Sequence, residues 1–197
     1  MVQNWRRLNK LYRQAVEVPT PWHSCNLNEP VASPVLLSIR SGMARVGKGF
    51  QVGLSWTPDR DGHVPYNAID AGGGVFVARM RHSGDLIPGK VVPQYGKAYC
   101  SHGGCEHEYF EYEVLCNTSA PNTRPCYKWE HSSDGHVPKK SIVAGLAEDQ
   151  SPLYVARVQI EGEWVVGKVH QGHSCGYFPY GGEEHSKESY EVLVLDK

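Results

Sequence analysis

At 197 residues the chain has room for one domain, or one duplicated domain with an extension. Its 21 Gly and 13 Pro favour a turn-rich fold over a helical one. A net charge of −1 offers no electrostatic footprint for nucleic acid or an acidic membrane surface, and no apolar run approaches the roughly 18 residues of a membrane-spanning helix.

Val2 to Val18 reads as a short amphipathic helix, with Trp5, Leu8, Tyr12 and Ala15 on one face and Arg6, Arg7, Lys10 and Arg13 off it. It lacks the continuous apolar core of a secretory leader, so the expected address is cytoplasmic, and any release from the cell bypasses a classical signal peptide. An organelle-targeting presequence is the alternative reading. Pro19 to Pro34 is rich in Pro, Asn and Ser and reads as a linker. Ser41-Gly42 is followed six residues on by Lys48, a spacing that returns twice downstream. It marks either a degenerate hairpin or a coincidence, since nothing resembling the rest of the downstream pattern follows it. Residues 1–50 are therefore taken as an N-terminal extension.

From Trp56 onward the chain says the same thing twice. Trp56 to Gly72, WTPDRDGHVPYNAIDAG, realigns on Trp129 to Gly145, WEHSSDGHVPKKSIVAG, with 9 identities in 17 positions. Phe76 to Leu115 realigns on Tyr154 to Leu193 with 16 identities in 40. The register shift grows from 73 to 78 between the two blocks, which one five-residue loop insertion explains. Repetition at this level sets the architecture: residues 51–126 hold one repeat and a connector, and 127–197 the other. Within each repeat, apolar runs flank Ser83-Gly84 or Glu161-Gly162, a hairpin pattern. Both repeats close on YEVL, whose apolar residues point to both faces and so predict a central, buried strand.

Comparing the copies sorts shared from private features. Lys90 and Lys168 follow glycine six residues past the hairpin turn, and Glu106-His107 and Glu184-His185 follow a double glycine before the last strand. Such recurrent polar residues can contact a ligand. The glutamates can instead satisfy local backbone donors or pair with Arg79 or Arg157. Cys100, Cys105, Cys116, Cys126 and Cys175 do not recur at equivalent positions. Free thiols are expected, with Cys116–Cys126 the pair that an oxidising compartment would close.

The ordered pattern W…DGxVPxNAIxAG, (F/Y)VAR, G-x4-GK, GG-x-E-H and YEVL resembles the DM-nine repeat family, whose members include tandem-repeat mannose-binding lectins and the opening module of natterin-like proteins. The resemblance covers Trp56 to the C-terminus and not the first 50 or so residues. It implies an all-β fold: two tandem pseudo-symmetric antiparallel β-sheet repeats with strand exchange, here preceded by the short helix and extension. It also implies a sugar pocket per half, in which a carboxylate near the NAIDAG loop and the lysine of the G-K pair hold mannose. Those positions are Asp70 and Lys90 in the first repeat. In the second, Val143 replaces the acid, so Glu148 or Asp149 in the longer loop would serve beside Lys168. An aromatic wall, Tyr99 or Tyr177, would cover the sugar. The expected carbohydrate-binding set is thus Asp70, Lys90, Glu106, Glu148, Asp149, Lys168 and Glu184, acting on mannose-type glycans in innate recognition of microbes, with avidity from two sites per chain and from a homodimer.

Other chemistries fit less well. An enzyme is not expected: no nucleophile sits with a partnered base, and no phosphate loop or HExxH occurs. Cys100, His102, Cys105 and His107 offer zinc-ligand types, but FPYGGEEH in the second copy keeps one histidine, so neither metal nor cofactor is expected. The rival reading is an intracellular interaction module of the same fold with no sugar ligand.

Overall fold

The computed structural model describes residues 39–40, 43–46, 49–119 and 125–196, with side chains from Gly53 onward. The expected helix at Val2 to Val18 and the linker after it lie outside the described residues. Three short strands come first and pair antiparallel: β1 (Ile39–Arg40), β2 (Met43–Val46) and β3 (Gly49–Val52). Ser41, Gly42 and Lys48 of the upstream echo lie outside the described residues.

The duplicated region forms one large antiparallel sheet. Its first half holds β4 (Leu54–Arg60), β5 (Asp70–Gly72), β6 (Val75–His82), β7 (Asp85–Val92), β8 (Lys97–His102), β9 (Cys105–Tyr109) and β10 (Glu111–Asn117). The second holds β11 (Tyr127–Ser133), β12 (Val143–Leu146), β13 (Pro152–Ile160), β14 (Glu163–His170), β15 (Gly176–Tyr180), β16 (Glu183–Lys187) and β17 (Ser189–Leu195). The strand order is palindromic: β4-β10-β6-β7-β8-β9 meets β16-β15-β14-β13-β17-β11, with β5 added to β6 and β12 to β13. Both YEVL strands, β10 and β17, lie between two neighbours, as their two-sided apolar pattern predicts. The hairpin turns also form as expected, with consecutive positive φ at Ser83 and Gly84 (49° and 93°) and at Glu161 and Gly162 (53° and 85°).

The sheet curls so that β14 and β12 of the second half pack on β7 of the first. This gives each central strand two buried faces and the protein three cores. Ala78, Ile87 and Val114 belong to the first half's core, and Ala156, Val165 and Val192 to the second's. Their chain neighbours Val77, Leu115, Val155, Val166 and Leu193 point the other way, into a core that both halves share. Each fully buried Val or Leu contributes about 1.5–3 kcal/mol relative to an exposed one, so the shared core binds the halves into one unit.

The strand ladders themselves stay within each half, apart from one bridge between Cys105 and Glu183. What the halves exchange is turns and side chains. Gly145 of β12 lies so close to the β7 backbone that a Cβ there would stand 1.8 Å from the Leu86 carbonyl oxygen. Its counterpart Gly72 receives the Trp164 ring at the start of β14. The repeated Ala-Gly is therefore the seat for the opposite half's hairpin. The described cysteines, Cys100, Cys105, Cys116, Cys126 and Cys175, carry free thiols.

Candidate functional site

The polar residues shared by the two repeats meet at the junction between halves. Lys90, on β7, places its ammonium 3.1 Å from Glu106 Oε1 and donates to the Pro179 carbonyl of the other half at 2.6 Å. Lys168, on β14, stands 3.2 Å from Glu184 Oε1 and donates to the Ser101 carbonyl, again across the junction. The glutamates are reciprocal as well. Glu106 Oε2 accepts the Gly182 N–H at 2.8 Å, and Glu184 Oε2 accepts the Gly104 N–H at 3.0 Å. Both lysines are buried, at 8% and 7% exposure, which requires that their charge be paired.

Glu106 and Glu184 accordingly satisfy backbone donors, but those of the opposite half, and they do not pair with Arg79 or Arg157. Arg79 binds Glu113 at 2.7 Å, donates to the Ala144 carbonyl at 2.9 Å and lies over the Trp56 ring. Arg157 binds Glu191 at 2.7 Å, donates to the Ala71 carbonyl at 2.7 Å and lies over Trp129 and Trp164. The histidines of the Glu-His pairs brace their own turns: His107 Nε2 donates to the His102 carbonyl and His185 Nε2 to the Tyr180 carbonyl, each at 3.0 Å.

Beside each lysine a pocket opens, and the two are pseudo-equivalent. The first, of about 210 Å³, is lined by Gly72, Gly73, Val75, Lys90 and Tyr95 of one half and by Gly162, Glu163 and Trp164 of the other's hairpin. The second, of about 270 Å³, is lined by Leu153, Lys168, His170, His173 and Tyr177, with Asp85 and His102 from the first half. Two of the three ammonium donors of Lys90 serve Glu106 and Pro179, which leaves one for the pocket. Each pocket thus joins an ammonium from one half to a carboxylate from the other: Glu163 for Lys90, and Asp85 for Lys168.

Of the expected acids, Glu184 also lines the second pocket, whereas Asp70, Glu106, Glu148 and Asp149 line neither. Asp70 is exposed and stands outside the first pocket's wall, its Oδ1 accepting the Gly72 N–H at 2.6 Å. Asp149 caps Ser151, and Glu148 meets the second pocket's acid through its backbone, its N–H donating to Asp85 Oδ1 at 2.6 Å. Asp85 and Glu163 carried a usable sign, since both copies place an acid directly after the hairpin glycine. Of the aromatic candidates, Tyr177 lines the second pocket. Tyr99 is buried with its ring centroid 5.3 Å from the Lys90 ammonium, and Tyr95 and Trp164 take the wall position.

Electrostatics at the junction follow from burial against pairing. Burial lowers the pKa of Lys90, while Glu106 and then Glu163 pull it back up. Burial pushes Glu184 up, yet the Gly104 N–H and the Lys168 ammonium outweigh it and hold the carboxyl below its ordinary 4.5. A carboxyl depressed on folding stabilises the protein at pH values above its unfolded pKa, and that stabilisation is lost as pH falls through the folded value. Thermal melts should show a plateau at neutral pH and a decline that sets in as pH drops below about 4.5. Glu184→Gln, which cannot titrate, should flatten part of that decline; an unchanged profile would assign it to other carboxylates.

The family model of the DM9 (DM-nine) repeat matches residues 71–187, more than half of the chain. The chain belongs to the DM9 repeat family. It is 32% identical to Natterin-3 of Thalassophryne nattereri over 96 residues, 47% of this chain and 24% of that protein. It is 26% identical to Natterin-4 of the same fish over 142 residues, 69% of this chain and 33% of that protein. The chain therefore spans a quarter to a third of the natterins it matches. Among solved structures, the nematode sperm cell motility protein MFP2B superposes with a TM-score of 0.51 at 17% identity, over 89% of this chain and 51% of that one. That likeness concerns the fold alone. In this DM9 protein much of the repeat signature maps onto the contacts between halves: Ala71 and Ala144, Arg79 and Arg157, Lys90 and Lys168, Glu106 and Glu184 all bond across the junction.

Proposed function

We propose that this protein binds carbohydrate, with mannose or mannose-containing glycans favoured, and serves in recognition of microbial surfaces without turning its ligand over. The observation that carries the reading is the doubled pocket, in which a buried ammonium faces a carboxylate from the opposite half beside an aromatic side chain. A carboxylate accepts from two adjacent hydroxyls and an ammonium donates to their oxygens, so the pair selects hydroxyl orientation in a neutral ligand. Both pockets are smaller than the roughly 300 Å³ at which drug-sized sites begin, a scale that suits one sugar ring. Single rings would bind weakly, and two sites per chain would supply avidity for clustered glycans. Membership of the DM9 repeat family supports the same class of ligand. A cytoplasmic address is part of the proposal.

Glu163→Gln is the informative variant, because Glu163 is exposed and the junction does not depend on it. Losing one charge-assisted bond of about 1.5–3 kcal/mol should weaken methyl mannoside binding at the first pocket by about tenfold or more, with the melting temperature unchanged. Calorimetric titration of wild type and variant reads this directly. Wild-type protein giving no mannose-dependent heat or glycan-array signal would end the lectin reading, and an unchanged Glu163→Gln affinity would remove this pocket from it.

A further inference from the structure

One cluster, which shares His102 with the second lysine pocket, is built by the first half alone. His82 ends β6, His102 ends β8 and His107 lies in β9, so the antiparallel ladder brings three histidines from 26 residues of chain to one corner of the sheet. His82 lies 4.9 Å from His102 and 4.0 Å from His107 between ring centroids. One ring nitrogen from each lies within 4.8 Å of the other two, and all three residues are half-buried. We propose that His82, His102 and His107 form a binding site for a divalent transition metal, with zinc as the fitting ion.

Three arguments support the assignment. First, imidazole suits zinc, copper and nickel, and three of them with an open fourth position make a recognised zinc geometry. With Zn–N bonds of about 2.0–2.1 Å, tetrahedral ligands stand about 3.4 Å apart, so the widest pair must close by about 1.4 Å. His102 is half-buried beside the exposed Gly103-Gly104 turn.

Second, one ring nitrogen each of His82 and His107 is already hydrogen-bonded, which is how protein sites fix a ligand's tautomer. His107 Nε2 must donate to the His102 carbonyl, leaving Nδ1 as the lone-pair donor. His82 Nδ1 meets the Tyr109 hydroxyl at 2.5 Å, leaving Nε2. His102 Nε2 faces Asp85 Oδ2 at 3.7 Å, an outer carboxylate of the kind that orients a metal-bound histidine.

Third, the fold does not need this cluster. The second half builds the same corner with Ile160, Tyr180 and His185 at the matching positions, so packing alone does not explain three imidazoles in contact. The cysteines that once suggested zinc here do not join them. Cys100 is buried in the first half's core and Cys105 is exposed at the turn.

Tag-free, metal-stripped full-length protein titrated with zinc chloride tests the site, and the proposal does not depend on sugar binding. One saturable equivalent is expected, with a raised melting temperature and, for cobalt as a stand-in, visible absorption bands of a tetrahedral nitrogen-rich site. His82→Ile and His102→Tyr install the residues that the second half carries, so both should fold, and each should weaken zinc binding at least tenfold. His185→Gln should leave it intact. Absence of a saturable equivalent, or zinc binding unchanged in the His82→Ile/His102→Tyr double variant, would overturn the proposal and assign any uptake to exposed histidines. Should the variants misfold, an absorption-edge spectrum of zinc-loaded wild type decides: fewer than three imidazoles on the metal overturns it.

Discussion

Glu184→Ala is expected to lower the melting temperature by roughly 10 °C. The truncation strands the Lys168 ammonium, which is 7% exposed, without a counterion, and removes the acceptor of the Gly104 N–H. Breaking one side of a buried ion pair costs about 3–5 kcal/mol, because the surviving charge stays desolvated. For a protein of this size each kcal/mol corresponds to about 2–4 °C. Glu108→Ala provides the contrast. Glu108 holds Lys97 at 2.5 Å, closer than Glu184 holds Lys168, but that pair is exposed to solvent and its loss should leave the melting temperature nearly unchanged. Calorimetric melts of the two variants separate burial from proximity. Equal shifts would mean that the junction pair is solvated and that the reciprocal glutamates do not secure the halves.

Gly145→Ala should be more damaging still, with a loss beyond about 4 kcal/mol or no soluble protein. Gly145 needs no left-handed backbone; the obstacle is space. Its Cβ would stand 1.8 Å from the Leu86 carbonyl and 2.7 Å from the carbon behind it. That carbonyl belongs to a strand held on both sides, since β7 pairs with β6 and β8. No side-chain rotation relieves the contact, so the halves must part and the shared core opens. Gly73→Ala is the reference. Gly73 has φ of 65° but open space around its Cβ, and should lose only the ~1–2 kcal/mol of a left-handed alanine. Solubility and denaturant midpoints of both variants check the ranking. A Gly145→Ala protein as stable as wild type would show that β12 can withdraw from β7 at no cost.

The sequence disclosed whatever is local or doubled. Hairpin turns at Ser83-Gly84 and Glu161-Gly162 follow from glycine's freedom, and the central position of the YEVL strands follows from their apolar residues on both faces. The duplication gave the two halves. What it could not give is which half a side chain serves, because periodicity describes one strand and its neighbours. Lys90 and Glu106 were visible as a recurrent set, yet their partners Pro179 and Gly182 lie 89 and 76 residues away. Asp85 and Glu163 were missed for the same reason. Asp70 is near Lys90 in the aligned pattern, whereas Glu163 reaches Lys90 only because the sheet curls. Counting identities also hid the acid after each hairpin glycine, since Asp85 and Glu163 differ in type while sharing charge. His82 escaped notice as a metal ligand because only the ladder brings it beside His102 and His107.

The reciprocity of the junction bears on how such a chain could arise. Hydrogen bonds across it recur with the roles of the halves reversed: Arg79 to Ala144 and Arg157 to Ala71, Glu106 to Gly182 and Glu184 to Gly104. That is the signature of an isologous interface, the kind two identical subunits form about a twofold axis. A single repeat on its own would bury its lysine with no opposing carbonyl and leave one face of β6 and β10 bare. Two separate copies would supply each other with all that is missing. The fused chain is in this sense a dimer tied end to end, and the tie released its halves from having to be alike. One half could then gather three histidines at its corner while the other kept isoleucine and tyrosine, with the interface between them unaltered.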